Sequence, residues 1–178
     1  CDRCDLSTAN FAFQDIGQHI TRSYDNKNYY KEKFLPSIVA QWDYRKQTMG
    51  KDRFEYIFER LNIEPASTKL LDVGCGAGYV ISYLADKGVA CRGLEVDPMA
   101  TRFCQDHGLD VVNGDIAAEP DGTYDVVTMF DVIEHVGNPL VTAKEAIAKL
   151  KPGGYLIAYT PNISSVGFEL MAESQNLL

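Results

Sequence analysis

The sequence predicts a doubly wound α/β domain built on a mostly parallel sheet, and three observations carry that prediction. From Lys69 to Tyr159, short apolar runs alternate with amphipathic helical stretches at the spacing of repeated β-α-β units. Runs such as Lys69–Val73 and Tyr124–Phe130 are rich in apolar residues, as strands covered on both faces require. Glycines punctuate the passages between them: Gly74, Gly76 and Gly78 follow the first run, and Gly88 and Gly108 stand where helices should stop.

Taken in order, the first fifty residues are polar and aromatic, with Tyr24, Tyr29, Tyr30, Phe34, Trp42 and Tyr44 and no strand pattern. A helix over Tyr29–Met49 is expected, broken or started by Pro36. Phe54, Ile57, Phe58 and Leu61 then follow the i, i+3, i+4, i+7 spacing of a helix with one buried face, closed by Pro65 and Ser67. Lys69–Val73 reads as the first strand and Tyr79–Lys87 as a helix. Ala90–Leu94 is the second strand, and Pro98–His107 a helix with Pro98 in its first turn. Leu109–Val112 and Tyr124–Phe130 are the third and fourth strands. Asn138 caps a helix opening at Pro139, whose apolar stripe is Leu140, Ala143, Ile147 and Leu150. Lys151-Pro152-Gly153-Gly154 is a stop and turn before a fifth strand, Tyr155–Tyr159. The predicted organisation is a cap or lid over 1–50, a ligand-binding α/β domain over 51–162, and a tail over 163–178.

Length and charge narrow the function. A chain of 178 residues suffices for one domain with a substantial core. Its net charge of −8 argues against nucleic-acid binding, which needs clustered Lys and Arg. No apolar run is long enough to cross a bilayer as a helix. The five cysteines are not spaced as a disulfide framework; Cys75, Cys91 and Cys104 fall in predicted core elements, so reduced thiols in a cytoplasmic protein are expected.

The chemistry centres on Leu71-Asp72-Val73-Gly74-Cys75-Gly76-Ala77-Gly78. Glycines between a strand and a helix let a ligand approach the backbone, and the helix start offers free N–H groups. A dinucleotide loop would read G-x-G-x-x-G, but Tyr79 stands where its third glycine belongs, and Asp72 is foreign to that pattern. The run instead resembles the D-x-G-x-G-x-G motif of class I S-adenosylmethionine (SAM)-dependent methyltransferases, matching every fixed position.

That resemblance extends over about Phe54 to Asn162, including Lys151-Pro152-Gly153-Gly154 and Thr160-Pro161-Asn162. It implies a Rossmann-like doubly wound sheet of that class, lacking its last two strands here and so truncated. It implies SAM as methyl donor, S-adenosylhomocysteine as product, and a small-molecule acceptor. The cofactor would be held by Asp72, Gly74, Cys75, Gly76 and Gly78, by Glu95 on the ribose with Val96 beside it, by Asp115 on the adenine with Ile116, and by Met129 and Phe130 at the end of the fourth strand. The nearest groups are akin to the ubiquinone-pathway O-methyltransferase and to sugar- or polysaccharide-modifying enzymes, so O-methylation is favoured. A SAM-binding module without turnover is the alternative, and a dinucleotide dehydrogenase a distant third.

Methyl transfer needs a base only if the accepting atom must lose a proton. His135, with Glu134, in Asp131-Val132-Ile133-Glu134-His135 is the candidate, because imidazole titrates near neutrality. Asp131, Glu134 and His135 also resemble the E-x-x-E-H of relatives that hold a divalent cation; a third reading gives them only a loop-shaping role. Cys1 and Cys4 form half of a zinc knuckle. Followed by Tyr24, Tyr29 and Tyr30, they resemble the second half of the zinc ribbon that precedes some sugar-modifying methyltransferases, and a chance pair is the other reading.

Overall fold

The computed structural model describes residues 32–33 and 35–162. Cys1, Cys4, Tyr24, Tyr29, Tyr30 and the tail over 163–178 therefore lie outside the described residues. Five strands, β1 (Lys69–Val73), β2 (Ala90–Glu95), β3 (Val111–Asn113), β4 (Tyr124–Phe130) and β5 (Leu150–Tyr159), form one sheet in the order β3-β2-β1-β4-β5. Every pairing is parallel. The strand order reverses between β1 and β4, which opens a crevice at their C-terminal ends.

Helical chain precedes the sheet. It comprises α1 (Leu35–Ala40), α2 (Trp42–Arg45), a π-helical stretch (Lys46–Asp52) and α3 (Arg53–Leu61). Pro36 lies in the first turn of α1, where its missing N–H costs no helical bond. Gly50, in the π-helical stretch, lets that segment press against α4 (Tyr79–Asp86): a Cβ there would stand 3.0 Å from the Tyr83 Cβ. The remaining α-helices among the described residues are α5 (Pro98–Asp106) and α6 (Pro139–Lys149).

Alternation along the strands supplies two core layers. Leu70 and Val126 pack with Phe54, Phe58, Val80, Tyr83 and Leu84 of α3 and α4. Leu71, Val73, Val127 and Met129 point the other way, toward Ala146 of α6. Asp97 caps α5, its Oδ1 accepting from the Met99 and Ala100 amides at 2.8 Å.

Two predicted features are corrected. The Lys151–Gly154 run is not a turn outside the sheet, because β5 begins at Leu150. Tyr124 pairs with Leu150 and Val126 with Tyr155, so the extra residues form an irregularity inside the ladder. Gly153 turns there at φ +83°, Pro152 has no N–H to place, and Lys151 Nζ pairs with Asp125 at 2.8 Å. On α6, Leu140 and Ile147 are exposed, while Ala146 and Lys149 are buried. The short Ala146 side chain lets the helix sit close to the sheet, and Lys149 reaches out to Asp121 at 2.7 Å.

Candidate cofactor and active site

The loop between β1 and α4 is held from several sides. The Gly74 and Cys75 amides both donate to the Leu94 carbonyl, at 2.8 and 3.0 Å, and the Gly78 amide donates to the Cys75 carbonyl at 3.0 Å. Gly74, Gly76 and Gly78 all adopt left-handed φ, of 70°, 54° and 72°. Their surroundings differ. A Cβ on Gly74 would stand 2.5 Å from Val132 Cγ2, and one on Gly78 would meet Leu109 Cδ1 at 2.7 Å and Cys104 Sγ at 2.8 Å. Those two glycines are explained by the protein's own packing. A Cβ on Gly76 would meet nothing within 4 Å, so that position borders open space that a ligand can fill.

Glu95, at the end of β2, is buried and bridges the site. Its Oε2 accepts from the Gly76 amide and its Oε1 from the Asp97 amide, both at 2.8 Å. Burial pushes its carboxyl above the usual range, partly offset by those two N–H donors. Asp72 lies beneath the loop on β1, fully buried, with Thr128 Oγ1 donating to its Oδ1 at 2.7 Å. Burial raises its carboxyl to about 7; the Thr128 bond works against that rise and the Glu95 charge adds to it. Cys75 and Cys104 both approach the Gly76 carbonyl, at 3.9 and 3.3 Å, and the Cys104 contact, with burial, pushes the Cys75 thiol up.

The predicted adenine side is a tight turn. Asp115 is exposed and caps the short helix Ile116–Ala118, its Oδ1 accepting from the Ala117 amide at 2.9 Å. Val96 is exposed and Ile116 buried. Asn113 ties this turn to β2 by donating through Nδ2 to the Glu95 and Val96 carbonyls at 3.0 and 2.9 Å. Met129 is fully buried among Leu71, Val127 and Ala146, which places it under the crevice rather than on its surface. Phe130, partly exposed, ends β4 and packs edge-on against Phe54, with ring centres 5.6 Å apart.

Beyond β4, Asp131 takes a left-handed φ of 54°, and its amide donates to the Tyr159 carbonyl at 2.9 Å. The chain then turns through a short 3-10 helix, Ile133–His135. His135 is exposed. Glu134 Oε2 is buried and meets no hydrogen-bond donor among the described residues. Burial raises the Asp131 carboxyl; Arg53 opposes the rise, Glu134 adds to it, and His135 opposes it. Among the described residues, no three His, Cys, Asp or Glu side chains converge as a metal site, and Asp131, Glu134 and His135 are not drawn together in this structure. The left-handed turn at Asp131 and the 3-10 turn after it accompany this lack of convergence.

Two basic residues near the glycine loop, Arg53 and Arg45, escaped the sequence reading. The Arg53 guanidinium lies 4.5 Å from the Tyr159 ring centre and 5.5 Å from that of Phe130, and its charge also acts on Asp131 and Tyr79. It thus stands between the start of α4 and the end of β4. Arg45 sits beside Tyr79, and the Trp42 indole N–H donates to the Ala77 carbonyl at 2.9 Å. Nothing in a helical pattern marks one basic or aromatic residue as part of a distant loop. A groove of about 470 Å³ lined by Phe54, Phe58, Ile63 and Tyr83 includes none of the loop residues.

Comparison with known proteins agrees with the fold. A family model described as a methyltransferase domain matches residues 42–177. The chain is 33% identical over 129 residues to the ubiquinone biosynthesis O-methyltransferase of Xanthomonas axonopodis pv. citri (strain 306), covering 66% of this chain and 52% of that protein. It is 34% identical over 119 residues to the enzyme of the same name from Vibrio parahaemolyticus serotype O3:K6, covering 62% and 50%. The chain thus spans about half the length of the curated relatives it matches. In fold it is similar to the PH0226 protein from Pyrococcus horikoshii OT3, with TM-score 0.58, 24% identity, and coverage of 72% of this chain and 59% of that one. It is likewise similar to a SAM-dependent methyltransferase from Archaeoglobus fulgidus, with TM-score 0.55, 20% identity, and coverage of 70% and 59%. A five-stranded parallel sheet with a glycine loop at its switch point, matched by the family model over more than half its length, makes this chain a member of the methyltransferase domain family.

Proposed function

We propose that this chain binds SAM on the Asp72–Gly78 loop and transfers its methyl group to an oxygen of a small-molecule acceptor. The observation that carries the reading is the pairing of an open Gly76 with a Glu95 carboxylate already aimed at its amide. The family and the names of the curated relatives favour SAM as donor and oxygen as the accepting atom. A quinone-like phenol fits those names, and a sugar hydroxyl is the other acceptor class.

The residues present suit the cofactor. Glu95 offers carboxylate oxygens to ribose hydroxyls, and Asp115 one to the adenine amine, while Gly76 leaves room for close backbone approach. Arg53, between the start of α4 and the end of β4, supplies positive charge for the carboxylate of the methionine moiety. When bound, SAM supplies an electrophilic methyl on a sulfonium. The chain's own work is then to orient the acceptor in line and to take its proton. His135 is the exposed base at the end of β4. The buried Glu134 Oε2 can accept from an acceptor hydroxyl, which would offset the cost of leaving that oxygen without a donor. No helix among the described residues is long and apolar enough to cross a membrane.

Separate calorimetric titrations with SAM and NAD, followed by radiolabelled methyl transfer to phenolic and sugar acceptors, test this reading. Binding of SAM alone with label on an acceptor oxygen is the expected result. Binding of NAD, or SAM binding without transfer to any acceptor, would overturn the enzymatic reading.

A further inference from the structure

We propose that Trp42, contributed by the helical segment before the sheet, is a positioning residue for cofactor binding that acts through the Ala77 carbonyl. The inference rests on the assignment of the glycine loop to SAM. Ala77 lies one residue before Gly78, the N-cap of α4, whose carbonyl accepts the helix's first bond from Ser82 at 2.9 Å. The Ala77 carbonyl therefore falls outside the helical ladder, and the Trp42 indole N–H donates to it across 35 residues of sequence.

The indole is itself held in place. Lys46 Nζ stands 5.5 Å from its ring centre, and the His107 ring lies 6.1 Å away. His107 in turn stacks on Phe103 at 4.1 Å, and its Nδ1 is 2.7 Å from the Phe103 carbonyl oxygen. Around it Leu35, Ile38, Ala77 and Ala100 form a buried cluster that clamps α1 onto the loop. The loop is thus gripped at adjacent residues by opposite groups: Glu95 takes the Gly76 N–H and Trp42 gives to the Ala77 C=O. Both bonds fix peptide planes at the point that borders open space, so loss of either leaves the loop to be ordered at the expense of ligand affinity.

Trp42→Phe removes the donor and keeps an aromatic ring. In this variant the dissociation constant and KM for SAM are expected to rise about three- to tenfold, the range of one ordinary hydrogen bond. The expected kcat and acceptor KM stay within about twofold of wild type, a split that general destabilisation would not give. Trp42 is also the single tryptophan of the chain, so its emission in the wild-type protein should change on SAM titration with the calorimetric midpoint. Unchanged SAM affinity in Trp42→Phe, a loss no larger than its unfolded fraction, or an emission that ignores bound SAM would overturn the role of Trp42 alone. No heat from SAM with wild-type protein would instead overturn the cofactor reading, and the role of Trp42 with it.

Discussion

Glu95 and Gly76 are joined by a hydrogen bond of 2.8 Å from the glycine amide to Oε2, while the other carboxylate oxygen holds the Asp97 amide. One side chain at the end of β2 thereby sets the glycine loop and the start of α5 together. The carboxylate keeps lone pairs for a ligand, since each oxygen can accept more than one bond.

Substitution of Glu95 should therefore damage binding before it damages the fold. Glu95→Gln keeps one accepting oxygen but turns an amide NH2 toward a backbone N–H. SAM affinity is expected to fall by at least tenfold by calorimetry, with a melting point within a few degrees of wild type. Wild-type affinity in this variant would remove Glu95 from the cofactor site.

The three loop glycines should separate by mutation. Gly76→Ala meets no side chain and costs only the left-handed backbone, about 1–2 kcal/mol. It should fold and bind SAM at least tenfold more weakly. Gly74→Ala drives a methyl against Val132 and should lower the melting point more than Gly76→Ala does. Thermal melts of the two variants beside SAM titrations test the contrast; equal melting points would contradict the packing argument.

Removal of the proposed base should spare the cofactor. His135→Ala is expected to leave SAM affinity unchanged and to reduce turnover about 10²-fold or more, the ordinary contribution of a positioned base. Undiminished turnover with the true acceptor would return His135 to a loop-shaping role.

Asp72 makes a prediction about pH. Its carboxyl rises from 3.8 to about 7 in the folded chain, through burial first. A raised acid contributes stability that is fully present below its unfolded value and lost as pH rises through the folded value. The ligand-free protein should thus lose stability between pH 4 and 7 relative to Asp72→Asn, which keeps a carbonyl oxygen for Thr128 but cannot ionise. Urea melts of both proteins across that range should diverge with rising pH; parallel curves would show that Asp72 ionises freely.

Much of the fold was legible because its signals are local. The bounds of β1 and β4 and the openings of α4, α5 and α6 follow from apolar runs, glycines and prolines that act over a few residues. The Lys151–Gly154 run was misplaced because a glycine pair looks the same in a turn and in a bulge, and only pairing with β4 separates them. The α6 stripe failed because periodicity names a face but not the face that the sheet receives.

The sequence by itself determined the strand-helix order, the glycine loop and the acid at the end of β2, since each is written in contiguous residues. Tertiary structure alone decided that Gly74 and Gly78 serve packing while Gly76 borders open space. It also decided that Met129 is buried beneath the crevice, that Trp42 bonds the glycine loop and that Arg53 lies over Phe130 at the end of β4. Those assignments depend on contacts between segments tens of residues apart, and no local pattern in a chain encodes which distant surface will meet it.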